Sequence, residues 1–547
     1  MMRSTDMQDI DYAAAQARSD ADRRTLGAAF LAQARRHPRR LAVVDARSRI
    51  GRLRLAAAAL SLLPLLELEP DESRVGILLP PGVGGAMVNL ALALDGRCAV
   101  NLNHTTGEAQ LARMCRLAGL RTIVSSRLYL ERIESPPLPG RVVLAEDLIP
   151  RLSKLRVLAN MLRVLLLPPQ GLDRSRPEAA AAIIFSSGTT GDPKGVLLSH
   201  RQILYNCDAV LAHIDIDPDR DILASPLPLF HSFGLVPGTW MGLALGVTLA
   251  HQADPRDGRA LGNLIERTGA TIFISTPTFV RGYMRRFRPG QMASLRFAVV
   301  GAERCPADLK LAFREAYGAD LLEGYGCTEL APAVALNTQT ASRDGTVGRP
   351  LPGIEAFTID PSTGERLPRG AEGLLVIRSP GRMIGYLDRP DLSAEAFVHG
   401  GYNTGDIARV DADGYLHLTG RLARFAKIGG EMIPLDRIES ALQDWLAEHH
   451  GQAAADAVAV AAVPSRRRGE RLVVLHGALP CSPEEALSGL SELPVLFRPR
   501  AADFYPVEAI PVLGTGKRDL GRIRSLAAEL ASDDEAEPDP DPIGEPA

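Results

Sequence analysis

The sequence predicts an α/β fold with a large N-terminal domain of parallel-rich sheets plus a β region, and a small, mobile α+β C-terminal domain. Up to Gly345, strand-like and helix-like runs alternate, as in the strand Arg74–Leu79 and the helix Gly84–Ala93, a pattern typical of a mostly parallel sheet. After Gly345 the apolar runs are short and alternate with polar residues, as in Leu374–Arg378, which indicates antiparallel strands. A new α+β pattern starts at Gly420.

We expect four segments along the 547 residues: a disordered N-terminus at 1–24, the large domain at 25–419, the small domain at 420–530 and a disordered tail at 531–547. Ser532–Ala547 contains seven acidic side chains and no basic one, and such a composition buries too little apolar surface to fold. The first residues mix acids with arginines and have no apolar core of the signal-peptide type.

Composition narrows the classes of function. The net charge is −3 and 46% of the residues are hydrophobic, which is ordinary for a globular protein. No domain is basic enough to predict nucleic-acid binding. The six cysteines have neither metal-ligand nor Cys-x-x-Cys spacing. We therefore expect a cytoplasmic protein whose thiols stay reduced, with a position on the inner face of the membrane as an alternative.

The segment Ile183–His200 is the most informative part of the chain. It predicts a strand, a loop, a short strand carrying Lys194, and a helix opened by a capping box between Ser199 and Gln202. The loop contains four hydroxyls and two glycines, at Ser186, Ser187, Gly188, Thr189, Thr190 and Gly191. Backbone amides and hydroxyls that converge in this way, beside a lysine, suit a phosphate. A polar surface turn is the alternative, and a Walker A loop is disfavoured because Pro193 precedes the lysine.

Three further strands each end in a polar or glycine-rich loop. Thr271–Ser275 ends at Thr276, Phe297–Val300 ends at Gly301, Ala302 and Glu303, and the strand at Leu321 runs into Gly324–Glu329. The carboxyl ends of parallel strands meet at one edge of a sheet, where ligands bind in doubly wound folds. We expect these loops to line one cleft.

Several side chains near those loops could bind a nucleotide. The ring of Tyr325 could stack on a purine, and Glu329 could hold Mg²⁺, which prefers oxygen ligands. Asp406 follows a tight turn and could accept from ribose hydroxyls. Lys517 lies on the glycine-rich loop Gly514–Lys517. The alternatives are a turn with a surface glutamate, a turn aspartate and a solvated lysine.

Two apolar stretches are candidates for contact with a membrane. Ile222–Ala253 contains no Asp, Glu, Lys or Arg, but its prolines favour a segment buried inside the domain over a membrane span. Leu148–Leu167 is apolar and carries four bases and no acid. It predicts either a helix on a membrane surface or a connecting helix packed on the domain.

Six motifs, in this order and at these spacings, resemble those of the adenylate-forming superfamily of acyl- and aryl-CoA synthetases, adenylation domains and luciferases. The motifs are Ser186–Gly195, Pro228–Gly234, Gly324–Glu329, Tyr402–Asp406, Gly420–Glu431 and Pro511–Lys517. The resemblance covers the chain from about residue 25 to 525. The chain more closely resembles the acyl-acyl-carrier-protein synthetase half of the bifunctional 2-acylglycerophosphoethanolamine acyltransferase family. The segments that carry this likeness are Val75–Gly82, Asn101–Asn103, Arg121–Arg127, Pro228–Leu235 and Arg424–Met432.

The resemblance implies a two-step reaction that uses ATP and Mg²⁺. A fatty (medium or long-chain) carboxylic acid attacks the ATP α-phosphate to give acyl-AMP, and a pantetheine thiol of CoA or of acyl carrier protein then takes the acyl group. The implied nucleotide contacts are the phosphate loop Ser186–Lys194, the adenine pocket of Gly301, Ala302, Glu303, Tyr325 and Gly326, and the ribose pair Asp406 and Arg421.

For the chemistry itself, the resemblance implies that Thr328 contacts the α-phosphate and that Glu329 holds Mg²⁺. Lys517 would bridge the attacking carboxylate and the α-phosphate, and His231 would lie where the acyl chain enters. The small domain would rotate about the segment after Gly420, with alanine at 423 where the family has Asp or Lys. The alternatives are an acyl-AMP ligase that serves a dedicated carrier domain, and a non-catalytic acyl- or nucleotide-binding protein on the same fold.

Overall fold

The computed structural model describes residues 12–187, 193–428, 431–465, 469–512 and 518–532. It confirms the predicted fold class, because these residues form an α/β structure with two large parallel-rich sheets, an antiparallel sheet and a smaller C-terminal α+β unit. The prediction of a disordered tail at 531–547 falls almost entirely outside the described residues.

The first parallel-rich sheet contains seven strands within the described residues. In spatial order they are Gly385–Tyr386, Pro193–Ser199, Ala180–Ser187, Cys98–Asn101, Arg74–Leu78, Thr122–Ser125 and Arg141–Leu144. The last five strands of this order are mutually parallel, whereas Pro193–Ser199 is antiparallel to both of its neighbours. The segment with the predicted phosphate loop therefore lies toward one edge of the sheet.

The second parallel-rich sheet contains nine strands of the described chain. In spatial order they are Arg349–Pro350, Ala333–Leu336, Asp320–Gly326, Phe297–Val300, Ile272–Ser275, Ile222–Ser225, Thr248–His251, Leu41–Val44 and Arg49–Gly51. The six central strands are parallel. The loops after Ile272–Ser275, Phe297–Val300 and Asp320–Gly326 therefore emerge together at the carboxyl ends of the strands, as predicted.

The remaining strands form two smaller sheets. The antiparallel sheet of the large domain consists of Glu355–Ile359, Gly373–Arg378, Gly401–Val410, Phe397–Val398 and Leu416–Arg421. The C-terminal sheet consists of Glu431–Pro434, Phe425–Ile428, Gly469–His476, Val458–Ser465 and Phe504–Pro506. Ile438, Leu442 and Leu446 recur every four residues along one helix face and pack into the core of the C-terminal unit.

The helices cover the faces of the sheets and connect the parallel strands. In the large domain they are Tyr12–Ala21, Leu26–Arg36, Arg52–Leu62, Val83–Asp95, Glu108–Leu117, Arg127–Arg132, Ala145–Leu148, Lys154–Leu166, His200–His213, Ser232–Leu235, Met241–Leu245, Gly258–Thr268, Pro277–Met284, Ala307–Tyr317 and Pro390–Glu395. In the C-terminal unit they are Leu435–His450, Gln452–Asp456, Pro483–Ala486 and Leu520–Ser532. One hydrophobic cluster joins both parallel-rich sheets through side chains such as Ile77, Leu90 and Leu249.

The prediction of disorder over residues 1–24 is wrong for Tyr12–Ala21, which form a helix. Ala15 of this helix is buried, and a β-carbon built on Gly353 would lie 2.4 Å from the Ala15 side chain. The helix is thus held by tertiary contact with the large domain rather than by its own sequence pattern, which is why composition alone did not predict it.

The apolar stretch Ile222–Ala253 is buried in the domain, which is the alternative that the sequence favoured over a membrane span. It forms two central strands and the helical turns between them, and Trp240 in those turns is only 2% exposed. Among the described residues, no helix has the length and the hydropathy needed to cross a membrane.

Candidate active site

The phosphate-loop segment contains both predicted strands and the predicted helix. Ser186 and Ser187, which the sequence assigned to the loop, belong instead to the first strand because they pair with Lys194 and Pro193. Ala180–Ser187 and Pro193–Ser199 form an antiparallel pair in which Ser186 is opposite Lys194. Ser199 Oγ accepts from the Gln202 amide at 3.2 Å, and Gln202 Oε1 accepts from the Ser199 amide at 2.8 Å, so the capping box is confirmed. The predicted contacts of Gly188, Thr189, Thr190 and Gly191, and of the Ser187 side chain, lie outside the described residues.

Lys194 projects toward a tyrosine that the sequence did not single out. Its Nζ lies 5.5 Å from the centroid of the Tyr386 ring. Tyr386 is brought there because Gly385–Tyr386 is the edge strand that pairs with Pro193–Ser199. A cation over an aromatic face is attracted by the ring quadrupole, so the ring gives Lys194 a preferred position beside the loop.

The loops after Phe297–Val300 and Asp320–Gly326 lie side by side, since these strands are parallel neighbours. A β-carbon on Gly301 would lie 3.1 Å from the Gly324 carbonyl oxygen, and Ala302 adopts a left-handed backbone with φ of 72°. Glu303 accepts from the Thr278 hydroxyl at 2.7 Å. The predicted adenine-pocket residues Gly301, Ala302, Glu303 and Tyr325 therefore lie at one sheet edge.

Tyr325, Asp406 and Arg421 form one cluster. The Tyr325 hydroxyl donates to Asp406 Oδ2, and Arg421 Nε donates to Asp406 Oδ1 at 2.7 Å. Burial raises the pKa of Tyr325 above its usual range, so the phenol keeps its proton and can donate. The charge of Asp406 raises the pKa of Arg421. The structure thus brings the purine-stacking candidate and the two ribose-binding candidates together.

Thr328 and Glu329 occupy the short turn Thr328–Leu330, directly after the strand that carries Tyr325. Glu329 is 8% exposed, and Tyr386 donates its hydroxyl to Glu329 Oε1 at 3.0 Å. The Tyr386 hydroxyl is also 3.3 Å from that of Tyr402. Tyr386 therefore contacts both Glu329 and Lys194, which links the metal-binding candidate to the phosphate loop.

The motif around Thr328 also constrains the backbone. A β-carbon on Gly326 would lie 2.2 Å from the Pro332 carbonyl oxygen, so only glycine fits at this position. Cys327, between Gly326 and Thr328, is not a nucleophile candidate. Burial raises the pKa of its thiol well above the usual range, which keeps it in the unreactive protonated form.

The predicted substrate-entry residue, His231, lies next to the turn of Thr328. Its Nδ1 accepts from the Phe233 amide at 3.3 Å at the start of the helix Ser232–Leu235. The Ser232 and Thr328 hydroxyls are 3.2 Å apart. A carboxylate that enters along this segment would therefore arrive close to the predicted α-phosphate contact.

The donor set at Glu329 fits Mg²⁺ held jointly with a nucleotide. Among the described residues, no group of three or more His, Cys, Asp or Glu side chains could hold a metal by itself. Mg²⁺ is commonly bound by one or two carboxylates together with substrate phosphates and water. A single buried carboxylate beside a phosphate loop is consistent with that mode of binding.

The sequence did not predict the contacts that three residues make in the site, namely Ser232, Tyr386 and Tyr402. Tyr402 begins the motif that ends at Asp406 and could have been noticed. Tyr386 belongs to the two-residue edge strand Gly385–Tyr386, and no local pattern marked it. Lys517, the predicted catalytic cation, lies outside the described residues.

Comparison with protein families and known proteins is consistent with this geometry. The family model described as AMP-binding enzyme matches residues 30–387. A feruloyl-CoA synthase from Amycolatopsis sp is 31% identical over 65% of this chain and 70% of that protein. A long-chain-fatty-acid–CoA ligase from Escherichia coli O6:H1 is 30% identical, but over only 54% of this chain and 53% of that protein.

Solved structures share the fold over nearly the whole chain. ATP-bound MatB from Rhodopseudomonas palustris superimposes with a TM-score of 0.76 at 23% identity, over 92% of this chain and 99% of that one. The amide bond synthetase McbA from Marinactinospora thermotolerans gives a TM-score of 0.72 at 27% identity, over 92% of this chain and 100% of that one.

Proposed function

Because this chain belongs to the AMP-binding enzyme family, we propose that it activates a medium- or long-chain fatty acid as acyl-AMP and transfers the acyl group to a pantetheine thiol. In the first step a carboxylate oxygen bonds to the ATP α-phosphorus, and the bond to pyrophosphate breaks. In the second step the thiol sulfur bonds to the acyl carbon, the bond to AMP breaks, and the thiol proton is released. The chain is thus an AMP-forming acid–thiol ligase.

The observation that carries the proposal is the Tyr325–Asp406–Arg421 cluster next to Thr328 and Glu329. Asp406 is 4% exposed and receives two donors, so its carboxylate is fixed in place without a ligand. Ribose hydroxyls could donate to it, while the Tyr325 ring lies against adenine. A carboxylate fixed in this way can position the ribose, and with it the α-phosphate, without reorganisation when the nucleotide binds.

Each remaining group has a defined task in this proposal. Lys194 and the loop before it hold the β- and γ-phosphates, and Thr328 contacts the α-phosphate. Glu329 would hold Mg²⁺, which neutralises phosphate charge when it is bound. Lys517 would reach the α-phosphate from the C-terminal unit and stabilise the charge that accumulates at the phosphorus.

The fatty-acid assignment rests on the apolar side chains that accompany His231. Phe230 is buried, and Phe233 packs partly exposed against the main hydrophobic cluster. A β-carbon on Gly301 would lie 3.7 Å from the Phe233 ring, so this ring borders the predicted adenine pocket. An aromatic acid is the second candidate, since the feruloyl-CoA synthase aligns with more of this chain than the fatty-acid ligase does.

The thiol acceptor is CoA or the phosphopantetheine of acyl carrier protein. The names of both sequence relatives favour CoA, whereas acyl carrier protein follows from the likeness in Val75–Gly82, Asn101–Asn103 and Arg424–Met432. A ligase that serves a dedicated carrier domain would transfer the acyl group to neither acceptor.

A substrate panel tests these assignments. We expect acid-dependent exchange of labelled pyrophosphate into ATP, with fatty acids at least about tenfold more active than hydroxycinnamic acids, because apolar burial discriminates by about that factor for each methylene or two. Mass spectrometry after addition of CoA or holo-acyl carrier protein then identifies the acceptor. Exchange that is faster with hydroxycinnamic acids would overturn the fatty-acid assignment, and absence of exchange with every acid would overturn the function.

A further inference from the structure

A row of leucines faces outward on the helix Lys154–Leu166. The exposed fractions are 79% for Leu155, 55% for Leu158, 54% for Leu162 and 77% for Leu166. These positions are three or four residues apart, so they lie on one face of an α-helix. Isolated exposed leucines are common on protein surfaces, but a contiguous apolar stripe marks a contact site.

The opposite face of this helix is already used by the fold. Val164 is fully buried, and Asn160 donates to the Ser61 hydroxyl at 2.9 Å. Both side chains lie on the face that packs on the helix Arg52–Leu62. The helix is therefore already packed on the domain, and its exposed leucines are not core residues that a wrong orientation of the helix has turned outward. The helix has one apolar face for the domain and a second one that the described part of the chain does not cover.

The structure corrects the predicted limits of this helix. The stretch Leu148–Leu167 is not one helix, because Ala145–Leu148 and the turn Ile149–Arg151 precede it separately. The helix itself begins at Lys154, after Ser153, whose side chain accepts from the Arg156 amide. Its 13 residues are about 20 Å long, shorter than the ~30 Å of a bilayer core.

The charges on this helix are exclusively positive. Lys154, Arg156 and Arg163 are exposed, and no acid occurs between Leu148 and Leu167. Arg156 and Arg163 are seven residues apart, so they follow each other along the same edge of the leucine face. Arg151, just before the helix, is paired with Glu67 at 2.7 Å and is therefore partly neutralised.

We propose that the leucine face of the helix Lys154–Leu166 docks in the plane of an anionic lipid surface, with Arg156 and Arg163 at the phosphate level. Leucines enter the acyl boundary, while long basic side chains reach back to the headgroups. A second copy of this chain is a poorer occupant, because a symmetric contact would bring like charges together. The proposal concerns a surface outside the active site and holds whatever the acyl substrate is.

Co-sedimentation with vesicles tests the proposal on the full chain. We expect binding to phosphatidylcholine vesicles that contain roughly one third phosphatidylglycerol, with much weaker binding to phosphatidylcholine alone. Replacing Leu155, Leu158 and Leu162 with serine should weaken the partition into anionic vesicles at least about tenfold. Replacing Arg156 and Arg163 with glutamine should remove most of the preference for the anionic lipid.

A matched control keeps the test specific. Leu128, Leu311 and Val495 are 49%, 59% and 79% exposed and lie on other elements, so their triple serine variant should bind vesicles like the wild type. An equal loss of vesicle binding in both triple variants would overturn the proposal, and so would a wild type that does not bind anionic vesicles. A wild-type dimer that the Leu155, Leu158, Leu162 variant converts to a monomer would also overturn it, in favour of self-association.

Discussion

Replacing Lys517 by alanine is expected to slow acyl-AMP formation by about a thousandfold, because the five-coordinate phosphorus loses the cation that stabilises it. Transfer of the acyl group from preformed acyl-AMP to the thiol should keep most of its rate, since the lysine acts only in the first step. Pyrophosphate exchange measures the first half-reaction, and thioester formation from synthetic acyl-AMP measures the second.

The adjacent residue offers a matched control for this prediction. Arg518 is also a cation in the same segment, but it pairs with Glu439 at 2.9 Å within the C-terminal unit. The variant Arg518→Gln should therefore leave the ratio of the two half-reaction rates close to that of the wild type. Equal losses of both half-reactions in Lys517→Ala would show that the lysine is not the adenylation cation.

Replacing Glu329 by glutamine is expected to lower the rate of pyrophosphate exchange by about a hundredfold, because the site loses the charge that would hold Mg²⁺. Glutamine has nearly the same shape, and its oxygen can still accept the hydrogen bond that Tyr386 donates at 3.0 Å. The fold should therefore be retained. Titration calorimetry of ATP at several Mg²⁺ concentrations should show that the variant needs more metal for half-maximal nucleotide affinity.

Tyr386→Phe is the control for the glutamate variant. It removes the hydroxyl contact but keeps both the carboxylate and the ring that lies near Lys194. We expect the Mg²⁺ dependence of nucleotide affinity to stay near that of the wild type. If Glu329→Gln shows no change in metal dependence, Glu329 does not bind the metal.

Local patterns in the sequence predicted individual elements of the fold. The capping box at Ser199 and Gln202 was recognisable because its partners are three residues apart, and the strand Phe297–Val300 was recognisable from its apolar run. The convergence of the loops after the parallel strands followed from topology rather than from any single residue. The Tyr325–Asp406 contact is consistent with both motifs binding one nucleotide, as the family resemblance implied.

Long-range contacts account for what the sequence could not show. Tyr386 reaches Glu329 only because a two-residue edge strand pairs with Pro193–Ser199, and such a short strand has no pattern of its own. The helix Tyr12–Ala21 is held by distant contacts in the same way. The outward face of the helix Lys154–Leu166 was ambiguous, because an apolar run does not show which of its residues pack on the domain.

The most direct test of adenylation follows the oxygen atoms of the acid. A fatty acid labelled with oxygen-18 in its carboxylate is incubated with the enzyme, ATP, Mg²⁺ and CoA, and the nucleotide product is analysed by mass spectrometry. Attack of the carboxylate on the α-phosphorus predicts AMP that contains one labelled oxygen, with the other label left in the thioester. Unlabelled AMP, or ADP with labelled inorganic phosphate, would contradict an acyl-adenylate intermediate.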